Sequence, residues 1–311
     1  MKITIIAPFA FGYTSHIEKA LNASNGVEAS TLYLDKPSFK YRNLGHKIQN
    51  FVSKLFGKNL KKTFVFDRIK KEMQTIGKQD AIFIIRPDML DDGTLRFLRK
   101  FTPNFIAYYY DSTRRFPRKL DIVNHFDTIY SYDKQDIKDN GFKFLTNYIF
   151  SENSSKDYDC QFFNISTNDH RFPLIENLAK YLKEKQWTYN IKVFNGSPME
   201  ANHVEIINVH QSIKEVEKMI LKSKIIVEIQ RNDQVGLSFR IFEALGYRKK
   251  LITTNTDVVN YDFYNPQNIL VIDENDIEIP EHFVTSPYVE IEDSILDKYR
   301  IENWVKPIFE L

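Results

Sequence analysis

The chain has 311 residues, 42% of them hydrophobic and 14% aromatic, with a formal net charge of +2 and one cysteine. That length suits two domains of about 150 residues, and so balanced a charge singles out no class of partner. Cys160 alone excludes an internal disulfide framework and a multi-cysteine zinc site, and no run approaches the roughly 18 apolar residues of a membrane span.

The opening residues, MKITIIAPFAFGY, carry one lysine and no small-residue cleavage site, and a turn residue, Gly12, follows at once. They read as a first strand, 2–7, and not as a signal peptide, so the chain is expected to be soluble and cytoplasmic. The strand is continuously apolar, as when both faces of a parallel sheet are covered. A loop over 8–15 leads to a helix over 16–21, with Thr14 or Ser15 as N-cap and Glu18 in the first turn. Gly12 is the only glycine of that loop, so a GxGxxG dinucleotide fingerprint is absent. Residues 27–34 alternate as a second strand.

Residues 36–71 differ in character, with eleven Lys or Arg against one acid, Asp67. Leu44, Ile48, Phe51, Val52 and Leu55 recur at helical spacing. Two readings are open: a helix facing the core with a solvated basic face, or a basic amphipathic helix in peripheral contact with the inner membrane face or an anionic acceptor. No nucleic-acid motif accompanies the charge.

Strands are expected over 80–86, 104–110 and 126–132, with a helix over 91–100. This alternation predicts a doubly wound parallel sheet, in which ligands bind beyond the carboxyl ends of the strands. Gly12, Tyr13, Arg86, Asp111, Ser112 and Asp133 then share one rim. The polar segment 151–159 reads as a boundary, after which the pattern restarts. Strands are expected over 160–165, 189–194, 204–209, 224–229, 250–254 and 268–272, and helices over 173–185 and 213–223. Within this half, Gln234 to Asn255 gives a polar loop, a helix from Leu237 or Ser238, a break at Gly246 and a return strand. A helix entered at its N-terminus after a buried strand is a ready anion site.

The motif Gln234-x-Gly236-Leu237-Ser238-x-Arg240-x-x-Glu243-Ala244-Leu245, followed by Lys249-Lys250-Leu251-Ile252-Thr253-Thr254-Asn255, resembles the C-terminal domain of bacterial glycosyltransferases of capsule and lipopolysaccharide synthesis. These are related to the spore-maturation-protein-like glycosyltransferases. Tyr108-Tyr109-Tyr110-Asp111-Ser112 and Phe126-Asp127 through Ser131-Tyr132-Asp133, then Asp136, are similar to further family motifs, as are Tyr261 to Tyr264 and the late Trp304 to Phe309. The likeness runs from about residue 80 and does not cover 36–71. Two departures stand out. The loop Asn164 to Arg171 has no glycine and inserts His170 between Asp169 and Arg171, and Glu228 stands where Asp is expected.

The resemblance implies a GT-B-like α/β fold with two Rossmann-like doubly wound parallel-sheet domains facing a cleft. It divides the chain into an acceptor domain (1–152), a nucleotide-sugar domain (153–292) and a C-terminal helix packing back across the junction (293–311). The implied activity is transfer of a sugar from a nucleotide-sugar donor to a glycan or lipid-linked surface acceptor. The alternative is a non-catalytic nucleotide- or carbohydrate-binding protein on the same fold. Backbone N–H groups of Gln234, Gly236, Leu237 and Ser238 suit a diphosphate, with Arg240 as a bidentate cation and Arg171 from the glycine-less loop. Glu243 resembles the glutamate that accepts ribose hydroxyls in such enzymes; taken by itself, Arg240 with Glu243 is a surface ion pair along the helix. An inverting enzyme needs a base for the acceptor hydroxyl; Asp111 comes first, Asp133 second and His16 third, and each has a capping or turn role as its plain alternative. No cofactor or metal is expected: the one Asp-x-Asp, Asp157 to Asp159, sits in the linker.

Overall fold

The structure, a computed structural model, describes residues 1–55 and 59–311. It comprises two compact units, one of Met1–Leu145 with Val305–Leu311, the other of Thr146–Trp304.

The first unit is built on β1 (Lys2–Ala7), β2 (Glu28–Tyr33), β3 (Ala81–Ile85), β4 (Asn104–Tyr109), β5 (Thr128–Ser131) and β6 (Lys143–Phe144). They lie in the order β2-β1-β3-β4-β5-β6, every pair parallel. Connecting helices are α1 (Ser15–Asn22), α2 (Leu44–Leu55), α3 (Leu60–Ile76), α4 (Asp92–Arg99), α5 (Arg118–Asp121) and α6 (Lys134–Asn140). All of β3, and β1 and β4 beyond their first residues, are buried, which is why these segments read as unbroken apolar runs. The order reverses between β1 and β3, and that switch point opens a crevice at the strands' carboxyl ends.

The second unit carries β7 (Cys160–Thr167), β8 (Tyr189–Phe194), β9 (Glu205–Ile207), β10 (Ser223–Glu228), β11 (Lys250–Thr253) and β12 (Ile269–Val271), all parallel, in the order β12-β11-β10-β7-β8-β9. Read from β7, this is the doubly wound order of nucleotide-binding sheets, with its switch point between β7 and β10. Helices α7 (Phe172–Glu184), α8 (Ile213–Leu221) and α9 (Phe239–Gly246) connect these strands.

Gly246 closes α9 because nothing larger fits. A Cβ there would meet the Ser151 carbonyl oxygen at 2.3 Å and Ile149 Cγ2 at 2.9 Å. Gly246→Ala should therefore cost about 1–3 kcal/mol by overpacking. A urea midpoint equal to that of the wild type would contradict this.

Several expectations change. Neither Thr14 nor Ser15 caps α1 by its side chain; the Thr14 hydroxyl instead bonds the Pro8 carbonyl at 2.9 Å, closing the loop after β1. The terminal region is three short turns, Asp293–Leu296, Ile301–Trp304 and Lys306–Phe309, and not one helix; Pro307 lacks the N–H that would continue the ladder. Within the first unit Phe309 meets Phe83 edge-on and the Tyr130 hydroxyl donates to the Pro307 carbonyl at 3.2 Å.

The basic region forms two helices, α2 and α3. Ile69 and Met73 of α3 enter the core, but α2 does not face the core as one reading held: Leu44, Ile48, Phe51 and Val52 are exposed. Phe56 and Lys58, part of that reading, lie outside the described residues. No helix among the described residues is long and apolar enough to cross a membrane.

Candidate functional site

In the second unit the sheet order brings the loops after β7 and β10 to one crevice. The glycine-less loop after β7 is held by its own aspartate. Asp169 Oδ1 accepts the Arg171 backbone N–H at 3.0 Å, an Asx turn that needs no positive φ, and the carboxylate takes the Arg171 guanidinium through Nε at 2.9 Å and Nη2 at 2.8 Å. From the other loop Arg231 Nη1 reaches the same carboxylate at 2.6 Å and pairs with Asp233 at 3.1 Å. Arg171 Nη1 also donates to the Ile229 carbonyl at 2.9 Å. Burial pushes the Asp169 carboxyl up, but the Arg171 hydrogen bonds and the charges of Arg171 and Arg231 outweigh it and hold the group below its ordinary value.

Between β10 and α9 the loop is tied from behind by side-chain amides. Gln230 Nε2 donates to the Gln234 carbonyl at 3.1 Å and the Gly236 carbonyl at 3.2 Å. Asn255 Nδ2 reaches the Val235 carbonyl at 3.3 Å, and Asn147 Nδ2 the Leu237 carbonyl at 2.9 Å. In a trans peptide the next N–H points opposite to the carbonyl. Each following N–H group, of Val235, Gly236, Leu237 and Ser238, therefore points away from the amide that holds its carbonyl, just before the N-terminus of α9. Ser238 occupies the N-cap position, yet its hydroxyl makes no capping bond. Successive N–H groups presented together at a helix start form an anion cradle.

Glu228, at the end of β10, is buried and accepts the Thr253 hydroxyl at 2.6 Å. Burial pushes its carboxyl above the ordinary 4.5, against the pull of Thr253, the nearby Ser238 hydroxyl and the charges of Arg171 and Arg240. The unfolded chain ionises at the ordinary value while the folded chain keeps the proton to higher pH. Stability from this group is therefore lost as pH rises from 4.5 through the raised folded value. Glu228→Gln, neutral and nearly isosteric, should gain on the wild type as pH rises from about 4 to about 8. Stability profiles that stay parallel across that window would contradict the assignment.

Arg240 and Glu243 form an ion pair one turn apart on α9, with side chains 15% and 1% exposed. Glu243 is buried and Arg240 half-buried, so the pairing along the helix expected of the plain alternative is present but lies below the open surface. The Arg240 guanidinium also lies 5.8 Å from the Phe163 ring centroid.

In the first unit, Gly12 takes φ +110° in the loop after β1, a conformation open to glycine, with Tyr13 beside it and His16 in the first turn of α1. Across the switch point Arg86 follows β3 with φ 61°, a left-handed conformation uncommon for a residue with a side chain. Its guanidinium is fixed by Asp88 at 2.7 Å, by Asp111 at 3.2 Å and by the Phe116 ring, whose centroid is 3.6 Å away. The other Asp111 oxygen takes Arg115 at 2.7 Å. Ser112 Oγ accepts the Arg115 N–H at 3.1 Å. Lys119, wholly buried, donates to the Asp111 carbonyl, and burial pulls its ammonium down to about 8 against the attraction of Asp111 and Asp88.

These surroundings separate the three base candidates. Asp133 is fully buried and caps α6, accepting the Gln135 N–H at 2.9 Å and the Asp136 N–H at 3.3 Å, with Arg114 at 3.7 Å. Asp111 has a guanidinium on each oxygen. For His16, burial and then the Lys19 charge hold the imidazole below its ordinary 6.5, so it is neutral at neutral pH. Asp157 and Asp159 pair with Lys222, and among the described residues no group of three or more His, Cys, Asp or Glu is placed to hold a metal.

Known structures bear on this arrangement. A lipopolysaccharide outer core galactosyltransferase superposes with a TM-score of 0.54 at 12% identity, covering 100% of this chain and 99% of its own. A UDP-GlcNAc 2-epimerase from Neisseria meningitidis, bound to UDP-GlcNAc, gives 0.55 at 11%, again over 100% and 99%. An α,α-trehalose-phosphate synthase from Burkholderia xenovorans gives 0.54 at 9% over 99% of both chains. The fold is GT-B-like. No family model matches the chain, and no curated protein matches it by sequence. At such identities the likeness concerns the two Rossmann-like sheets of the GT-B-like fold and not the side chains in their crevices.

Sequence reasoning named Arg171, Arg240, Glu243 and the 234–238 loop as candidates, but did not point to the groups that hold them. Gln230 and Asn147 gave no signal. Asn255 stood at the end of the quoted motif without a role, and Arg231 and Asp233 were given none.

Proposed function

We propose that the protein is a glycosyltransferase that moves a sugar from a nucleotide-sugar donor to a cell-surface polysaccharide or lipopolysaccharide acceptor at the inner membrane face. The motif likeness to the spore-maturation-protein-like transferases supports the same reading. The observation that carries it is the loop over 234–238, its carbonyls tied back at a nucleotide-type switch point, with Arg171, Arg231 and Arg240 gathered near the end of β10. A leaving nucleoside diphosphate needs this combination of backbone N–H groups and cations. The galactosyltransferase and the UDP-GlcNAc-bound epimerase show that the fold serves sugar-nucleotide chemistry elsewhere.

The second unit is proposed to hold the donor, with Glu243 toward the ribose; a base is also needed for the acceptor proton. His16 is the base proposed here, followed by Asp111. The reaction is proposed to proceed without a metal.

The test is incubation with a panel of nucleotide sugars, with and without a membrane extract as acceptor. Nucleoside diphosphate release that depends on acceptor, with the sugar recovered on the acceptor, is expected. An epimerised nucleotide sugar formed without acceptor would replace the transferase reading with an epimerase. A second reading, a non-catalytic sugar-nucleotide binder, draws on the commitment of Asp111 to two guanidiniums and of Asp133 to a helix cap; nucleotide binding with no turnover of any donor would favour it.

A further inference from the structure

We propose that α2 docks the protein on an anionic lipid bilayer, its apolar stripe entering the boundary between headgroups and acyl chains. Leu44, Ile48, Phe51 and Val52 fall on one face of the helix and are 72%, 56%, 68% and 45% exposed. The edge that meets the protein is the polar one. Asn50, 1% exposed, accepts the Leu60 N–H at 2.8 Å and donates to the Tyr41 hydroxyl at 2.7 Å. His46, half-buried, accepts the Arg42 N–H at 3.2 Å and packs on the Phe39 ring at 5.7 Å. The helix is therefore mounted the opposite way round from a core helix: its polar side is anchored and its apolar side faces outward. A contiguous outward apolar stripe marks an interaction surface.

Charge selects what covers it. Lys36, Lys40, Arg42, Lys47, Lys61 and Lys62 are exposed around the stripe, and residues 36–66 contain no acid. A second copy seated on the same patch would bring these cations against their own kind. An anionic bilayer takes both features at once, headgroups for the cations and acyl chains for the stripe. The assignment rests on α2 and the cations around it, and stands whether or not the chain transfers sugar.

The test is co-sedimentation of the full chain with vesicles of phosphatidylcholine and phosphatidylglycerol in equal parts, and with phosphatidylcholine alone. Tight binding to the mixed vesicles and at least about tenfold weaker binding to the neutral ones are expected. Ile48→Ser with Phe51→Ser should lose at least about tenfold in partitioning, and each of Lys40→Gln, Arg42→Gln and Lys47→Gln about fivefold. All five positions are exposed, so an unchanged thermal midpoint is expected for the variants. Equal binding to both vesicle types would overturn the proposal, as would a serine double variant that pellets like the wild type. A wild-type dimer that the serine variant dissolves would also overturn it, by assigning the stripe to a second copy.

Discussion

Arg240→Met should destabilise the protein by about 3–5 kcal/mol, the cost of leaving a buried carboxylate without its guanidinium. The Glu243 side chain is 1% exposed, so water cannot replace the lost partner. Arg240→Met combined with Glu243→Met should recover to within about 1 kcal/mol of the wild type, because an apolar pair of similar volume removes both charges and their desolvation together. Nucleotide affinity separates structure from function. If the pair also serves the donor, the double variant is stable yet loses nucleotide binding by at least about tenfold. A double variant that binds nucleotide as the wild type does would reduce the pair to scaffolding of α9. A single variant as stable as the wild type would show that Glu243 does not depend on Arg240.

His16→Ala should lower kcat by about 10²–10⁴-fold, the usual worth of a positioned base, with the donor KM little changed. The wild-type pH profile carries the sign. The imidazole must be unprotonated to act, and burial with Lys19 places its titration below the ordinary 6.5. Activity should thus rise with pH with its midpoint below that value, with no loss of the basic form above it. Asp111→Asn provides the contrast. If it abolishes turnover while His16→Ala retains most of it, the base is Asp111, and the two guanidiniums on its oxygens serve to orient it. A profile still rising well above pH 6.5 would also remove His16 from the role.

How much of this was legible in the sequence follows from the range of the interactions. Strands such as Ala81–Ile85 are buried on both faces, so five consecutive apolar residues announce them without knowledge of their neighbours. Arg240 and Glu243 lie one helical turn apart, and their pairing is a local matter. The tethering of the 234–238 loop is not. Asn147 reaches Leu237 across 90 residues and Asn255 reaches Val235 across 20, so the roles of these amides exist only once the sheet has assembled. The mounting of α2 was illegible for another reason. Helical periodicity defines a polar and an apolar face, but not which one the protein keeps; Asn50, bonded to Leu60 and Tyr41, decides that. The loop at 164–171 lacked the expected glycine because Asp169 supplies the turn through its own side chain.

The central claim is that the second unit holds a nucleoside diphosphate, and its most direct measurement is thermal unfolding of the intact protein across a panel of nucleoside diphosphates and their sugar conjugates. One nucleotide should stabilise the protein by about 2.7 kcal/mol at 100 times its dissociation constant, and at the same concentration that gain should fall to about 1.4 kcal/mol or less in the Arg240→Met, Glu243→Met double variant. No shift with any nucleotide at millimolar concentration would contradict the account.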